Sequence, residues 1–160
     1  MPSEKSSSAD NQQERLKFAN WVVGFTDGEG CFTVSIFRNP TTKNGWQVFP
    51  EFVVTQGKKS FSVLNLMKEF FNCGTITINR RWDNHKENIY RYCVRNLKEL
   101  EEKIIPFFEK NLLKTAKKKD FKIFVQVVRL MRKGKHLENS GFKKIANLIS
   151  MMNRKKVRKL

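Results

Sequence analysis

A chain of 160 residues suits one compact domain better than two, and a 39% apolar content with 14 Phe and 3 Trp excludes a wholly disordered protein. Lys and Arg number 32 against 15 Asp and Glu, and a formal charge of +17 favours a polyanionic partner such as nucleic acid. No apolar run approaches the roughly 18 residues of a spanning helix, so no membrane partner is expected. Three cysteines (Cys31, Cys73, Cys93) without a CxxC pair and two histidines do not compose a zinc site. They fit a reducing, intracellular compartment, with an organelle (chloroplast or mitochondrion) and a prokaryotic cytoplasm both open.

Residues 1–15 are polar and Ser-rich and carry Glu4, Asp10 and Glu14, which argues against a secretory signal. They are expected to form a disordered tail, leaving one domain over 16–160. A helix is then predicted to about Asp27, stopped by Gly28 and Gly30. Two alternating strands follow: Phe32, Val34 and Ile36 oppose Thr33 and Ser35, while Val48, Phe52 and Val54 oppose Gln47, Glu51 and Thr55. Val63, Leu64, Met67, Phe70 and Phe71 recur with helical spacing.

In a second hairpin Ile76 and Ile78 oppose Thr75, Thr77 and Asn79, and a polar loop around Asp83–Lys86 leads to Tyr90, Tyr92 and Val94. Asn96 with Glu99 resembles a capping box for a helix that Pro106 interrupts. Two amphipathic helices close the chain, marked by Phe121, Phe124, Val125, Val128 and Met131, then by Phe142, Ile145, Ala146, Ile149 and Met152. The order is α-β-β-α-β-β-α-α-α. It predicts an α+β layer pair of two antiparallel hairpins with helices on one face.

Such a layer pair leaves one sheet face in water. Thr33, Ser35, Gln47, Thr55, Thr75, Thr77, Asn79 and Arg91 belong to that face, with Arg81 at the end of the second hairpin's first strand. Hydroxyl, amide and guanidinium groups are suited to base edges and phosphates. Antiparallel sheets ordinarily show polar residues to solvent, so the alternation gains weight only beside the net charge.

The chemistry concentrates in Trp21-Val22-Val23-Gly24-Phe25-Thr26-Asp27-Gly28-Glu29-Gly30-Cys31-Phe32. Two carboxylates end an apolar helix, where the helix dipole disfavours negative charge. A cation would remove that penalty, and carboxylate with carbonyl oxygens suits Mg²⁺; an acidic surface turn is the bland alternative.

Val22 to Gly30 resembles the nine-position signature of the LAGLIDADG homing endonucleases, with Gly24, Asp27, Glu29 and Gly30 matching in kind. The resemblance extends through Phe52-Val53-Val54-Thr55-Gln56, Ile105-Pro106-Phe107-Phe108 and His136-Leu137-Glu138-Asn139-Ser140-Gly141-Phe142, spanning about Phe18 to Asn153. It implies a fold in which the two hairpins form a saddle-shaped sheet over DNA, and a site-specific, metal-dependent double-strand break in a long pseudo-palindromic target, encoded within an intron. By the same resemblance Glu29 and the Gly28 carbonyl hold Mg²⁺ or Mn²⁺, Asp27 is structural, and Gln56 orders water. A lysine of Lys114–Lys119 stabilises developing charge; Lys117 is favoured, with Lys114 and Lys118 as alternatives.

No second copy of the motif occurs, so two cuts imply a homodimer meeting at Val22, Gly24 and Phe25. A fragment of a two-motif protein is the other possibility. An RNA maturase acting on its host intron and a DNA-binding regulator are the alternative functions on this fold.

Overall fold

The computed structural model describes residues 4–80 and 87–152. Helix α1 (Glu4–Glu29) runs directly into β1 (Gly30–Arg38), which turns into β2 (Trp46–Gly57). After α2 (Phe61–Phe71) come β3 (Thr75–Asn79) and β4 (Ile89–Val94). The four strands form one antiparallel sheet in the order β1-β2-β4-β3. The α+β architecture expected from the alternation is the one observed, and the loop predicted around Asp83–Lys86 lies outside the described residues.

The register explains why one face is dry. Phe32 pairs with Phe52 and Phe52 with Val94, while Val54 pairs with Tyr92, so these side chains emerge on a single side. Phe32 is the hub. Its ring lies 5.0 Å from that of Phe52, 4.9 Å from Phe121, 5.3 Å from Phe124 and 5.4 Å from Phe108. Leu64 and Met67 of α2 and Phe124 and Val128 of α5 (Lys117–Arg132) are fully buried in the same core. Helix α6 (Asn139–Ser150) packs with α5 through the buried Phe142, Ile145 and Ile149.

Two expectations need correction. The stretch expected as a disordered tail is helical from Glu4 and continuous with the rest of α1. Residues 9–17 are exposed on every side, so nothing packs to hold them. Ala9, Gln12, Gln13, Glu14, Arg15 and Leu16 are strong helix formers, and adding turns to an existing helix is far easier than nucleating one.

Pro106 does not interrupt its helix either. The segment passes from α3 (Leu97–Glu99) through a π-helical turn, Leu100–Ile104, into α4 (Ile105–Lys110). The Ile105 N–H donates to the Leu100 carbonyl five residues back. The wider turn lets the chain accommodate a ring that lacks an N–H and would crowd the preceding turn. Asn96 does cap this segment, its Oδ1 accepting from the N–H groups of Lys98 (2.9 Å) and Glu99 (3.2 Å). Glu99 does not complete a capping box; its carboxylate accepts from the Gly74 N–H at 3.3 Å.

Asp27 ties the end of α1 to the approach of α5. Its carboxylate accepts from the Lys114 N–H (2.7 Å), the Thr115 N–H (3.2 Å) and the Thr115 hydroxyl (2.7 Å). Burial pushes this carboxyl up, but those three donors and the nearby Lys117 charge outweigh it and hold the pKa below 3.8. The structural role expected for Asp27 is therefore exercised within this chain.

Gly30 is closely confined. A Cβ there would lie 2.6 Å from Thr26 Cγ2 and 2.9 Å from the Thr26 carbonyl oxygen, and Thr26 is itself fully buried. Gly30→Ala should therefore destabilise the fold by about 1–3 kcal/mol, read from chemical denaturation. An unchanged midpoint would mean that the junction has room the structure denies. Asp27→Asn should lose stability with a distinctive pH dependence. A depressed pKa stabilises the fold fully above the ordinary value of 3.8 and ceases to do so as pH falls through the folded value. The gap between wild type and variant, measured by thermal unfolding from pH 7 to pH 3, should be widest near neutrality and narrow in acid.

Candidate active site and nucleic-acid face

An α-helix ends with carbonyls that have no intrahelical partner and with the negative pole of its dipole. At the end of α1 these oxygens meet a cation from a distant part of the chain. Lys117, the first residue of α5, directs its Nζ at the carbonyls of Thr26 (3.1 Å), Gly28 (3.5 Å) and Gly30 (2.5 Å). Of the lysines considered for the motif, Lys117 is the one whose ammonium reaches it. Lys114 contributes only its backbone N–H, to Asp27.

Glu29 closes α1 and is exposed, and among the described residues no side-chain hydrogen bond or ion pair engages it. Gln56 is half-buried near the end of β2, two residues past the Gly30↔Val54 pair and so alongside the end of α1. Its parity is that of Phe52 and Val54, which keeps it off the polar face. The carbonyls offer hard oxygen donors of the kind Mg²⁺ takes. Among the described residues no group of three or more His, Cys, Asp or Glu side chains is assembled to hold a metal.

The outer face of α1 is open. Trp21 (38% exposed) stacks on the half-buried Phe25 at 5.0 Å and 12°, and Gly24 and Gly28, one turn apart, are bare. A Cβ at either glycine would meet nothing within 4 Å. Val22 departs from expectation: it is 0% exposed and belongs to the core of this chain. The helical period turns it inward, so the surface α1 can offer a partner is Trp21, Gly24, Phe25 and Gly28.

The polar residues expected on the helix-free face are there. Thr33 pairs with Glu51 and Gln47 with Phe37; Thr55 pairs with Arg91, which also pairs with Thr77; Thr75 pairs with Cys93 and Asn79 with Ile89. Ser35, opposite Phe49, shares their parity. Gln47 accepts from the Asn39 amide at 2.7 Å, and Arg81 lies outside the described residues.

The sequence reading missed what occupies the middle of this face. Glu51, opposite Thr33, is buried and engages both Arg91 and Arg95. A lone acid in the polar register of the strands was the available signal.

Among the described residues no helix is long and apolar enough to cross a membrane. The LAGLIDADG endonuclease family pattern matches residues 22–128, which take in the C-terminal end of α1 from Val22, the whole sheet and most of α5. A probable intron-encoded endonuclease of Neurospora crassa is 36% identical over 136 residues, 84% of this chain, and the chain spans only 29% of that relative's length. Among solved structures, the homing endonuclease I-TnaI superposes with a TM-score of 0.78 at 40% identity, covering 86% of this chain and 89% of the other. I-SmaMI, bound to uncleaved DNA target in the presence of calcium ions, superposes with a TM-score of 0.77 at 35% identity over 84% of this chain and 44% of its own. The helix that ends in paired acids, the four-stranded antiparallel sheet it feeds and these matches agree: this chain belongs to the LAGLIDADG endonuclease family.

Proposed function

We propose that the chain is a nuclease subunit that breaks double-stranded DNA as one half of a two-fold pair, using divalent cations, as the product of an intron-encoded reading frame. The observation that carries this is the convergence of three carbonyls of the α1 end on the Lys117 ammonium, beside an unengaged Glu29. Those carbonyls accept a cation there, and Glu29 adds a negative charge with no partner inside the subunit. One subunit supplies a single free carboxylate at this point; the bare face of α1 brings a second copy's Glu29 close when two such helices meet at Gly24 and Gly28. The matched DNA-bound relatives support the polymer, and the polar sheet face supports a duplex as the bound form.

In this reading Glu29 and the Gly28 carbonyl hold Mg²⁺ or Mn²⁺. When bound, such an ion lowers the pKa of water and neutralises charge on the scissile phosphate. Lys117 turns its ammonium from the carbonyls toward the phosphate and offers positive charge to the oxygens that gain it. Gln56, beside the helix end, orients the attacking water through its amide. Thr33, Ser35, Gln47, Thr55, Thr75, Thr77, Asn79 and Arg91 meet the duplex, and Arg81 extends that set. An RNA maturase or a DNA-binding regulator needs neither an unengaged Glu29 nor a cation-ready helix end, so both observations favour cleavage.

Glu29→Gln should abolish metal-dependent cleavage of a duplex library while leaving DNA affinity at or above wild type, because the side chain has no other partner to lose. Near wild-type cutting by this variant would remove Glu29 from the site. Gln56→Ala should slow cleavage by a smaller factor, and a loss equal to that of Glu29→Gln would refute its assignment to water. For the pair, Gly24→Leu should leave each subunit folded and drive the helices apart, giving weak self-association in sedimentation and no cleavage. A wild-type protein that stays monomeric on DNA yet cuts both strands would overturn the two-fold arrangement.

A further inference from the structure

The helix-free face holds one buried acid, Glu51, at 6% exposure. A buried carboxylate is costly unless it is paired and hydrogen-bonded. Here Arg91 donates from Nη2 to Oε1 at 2.7 Å, and Arg95 donates from Nε to Oε2. Arg95 also directs Nη2 at the Cys93 sulfur (3.8 Å), with its guanidinium carbon 5.5 Å from the centre of the Phe49 ring. Val53 and Cys93, neighbours across β2 and β4 on this same face, are 7% and 1% exposed although no helix covers them. Arg95 reaches over Cys93, and each guanidinium is held by the Glu51 carboxylate, Arg95 by a sulfur and a ring as well. Both side chains remain accessible, Arg91 at 31% and Arg95 at 40%.

We propose that Glu51 is a specificity-determining positioning residue: it fixes Arg91 and Arg95 so that their free N–H edges read guanines in the major groove of the duplex. This rests on the DNA reading above. An arginine that only neutralises phosphate gains nothing from immobilisation, because a charge on a flexible stem follows the backbone. Bidentate contact with guanine O6 and N7 demands a guanidinium fixed in plane and position. Glu51 also cancels one of the two positive charges, which lowers non-specific attraction to phosphate where discrimination is needed. The carboxylate thus removes affinity shared by every sequence and keeps the hydrogen-bond geometry that separates sequences.

The test is a binding profile over all single-base variants of the protein's own selected target, at several salt concentrations, for wild type, Glu51→Gln, Arg91→Lys and Arg95→Lys. Each lysine variant should lose about tenfold or more of the preference for guanine at its own positions, with the salt slope unchanged. Glu51→Gln should lose preference at both sets of positions together, with affinity for unrelated duplex equal to or above wild type and a steeper salt dependence. A merely structural Glu51 would weaken all sequences alike and leave the profile's shape intact.

Thermal unfolding accompanies each variant. Should Glu51→Gln fail to fold, the lysine variants decide, since they retain the charge and the ion pair but lose the planar fork. An unaltered profile in Glu51→Gln, or a uniform loss over all sequences in both lysine variants, would overturn the proposal while leaving the DNA reading standing. A folded wild type with no affinity for any duplex would overturn both.

Discussion

One ammonium group ties the motif at the end of α1 to the rest of the fold. Lys117 lies 87 to 91 residues beyond the carbonyls it meets, so its contact with Thr26, Gly28 and Gly30 joins the start of α5 to the junction of α1 and β1. Without a cation, that junction would place the negative end of a 26-residue helix beside two carboxylates. Asp27 meets donors from Lys114 and Thr115, the carbonyls meet Lys117, and Glu29 alone is left over. Structural stability and the proposed chemistry therefore draw on the same few oxygens. The motif is acidic where stability favours a basic residue, and the remainder of the chain supplies the compensation.

Much of this was legible from residue order. Alternation in 32–36 and 47–56 fixed which side chains face the helices, because the period of a strand leaves no freedom once Phe32, Phe52 and Val54 must be buried. Gly24, Asp27, Glu29 and Gly30 marked the helix end, and the lysine favoured on resemblance is the one whose ammonium reaches it. Pattern failed where local rules compete with context. Pro106 normally breaks a helix, yet the wider turn at Leu100–Ile104 absorbs it. Val22 read as an exposed interface residue because the motif is written as a string, whereas the helical period turns every third or fourth residue inward.

Glu51 illustrates a limit of a different kind. Its parity was read correctly, but parity says only which side a residue faces, not what it meets there. Arg95 lies just beyond β4 and Arg91 opposite Thr55, and only the register of β4 on β2 brings both guanidinium groups to one carboxylate. Contacts between side chains far apart in sequence are set by topology, and no local window contains them. For the same reason Thr115, which carries no signal of its own, turns out to hold Asp27 by two bonds.

Interleaving of the two faces has a consequence for how such a chain diversifies. In β1 and β2 every second side chain faces the helices, and the residues between, among them Thr33, Ser35, Gln47 and Thr55, face away from them. Point substitutions at Thr33, Ser35 or Thr55 change what that surface touches and leave Phe32, Val34 and Val54 in place. A one-residue deletion within either strand instead exchanges the two sets, burying hydroxyls and exposing phenyl rings. This hairpin can therefore take substitutions along its outward-facing positions, and a change of length costs least in the turn between Arg38 and Trp46.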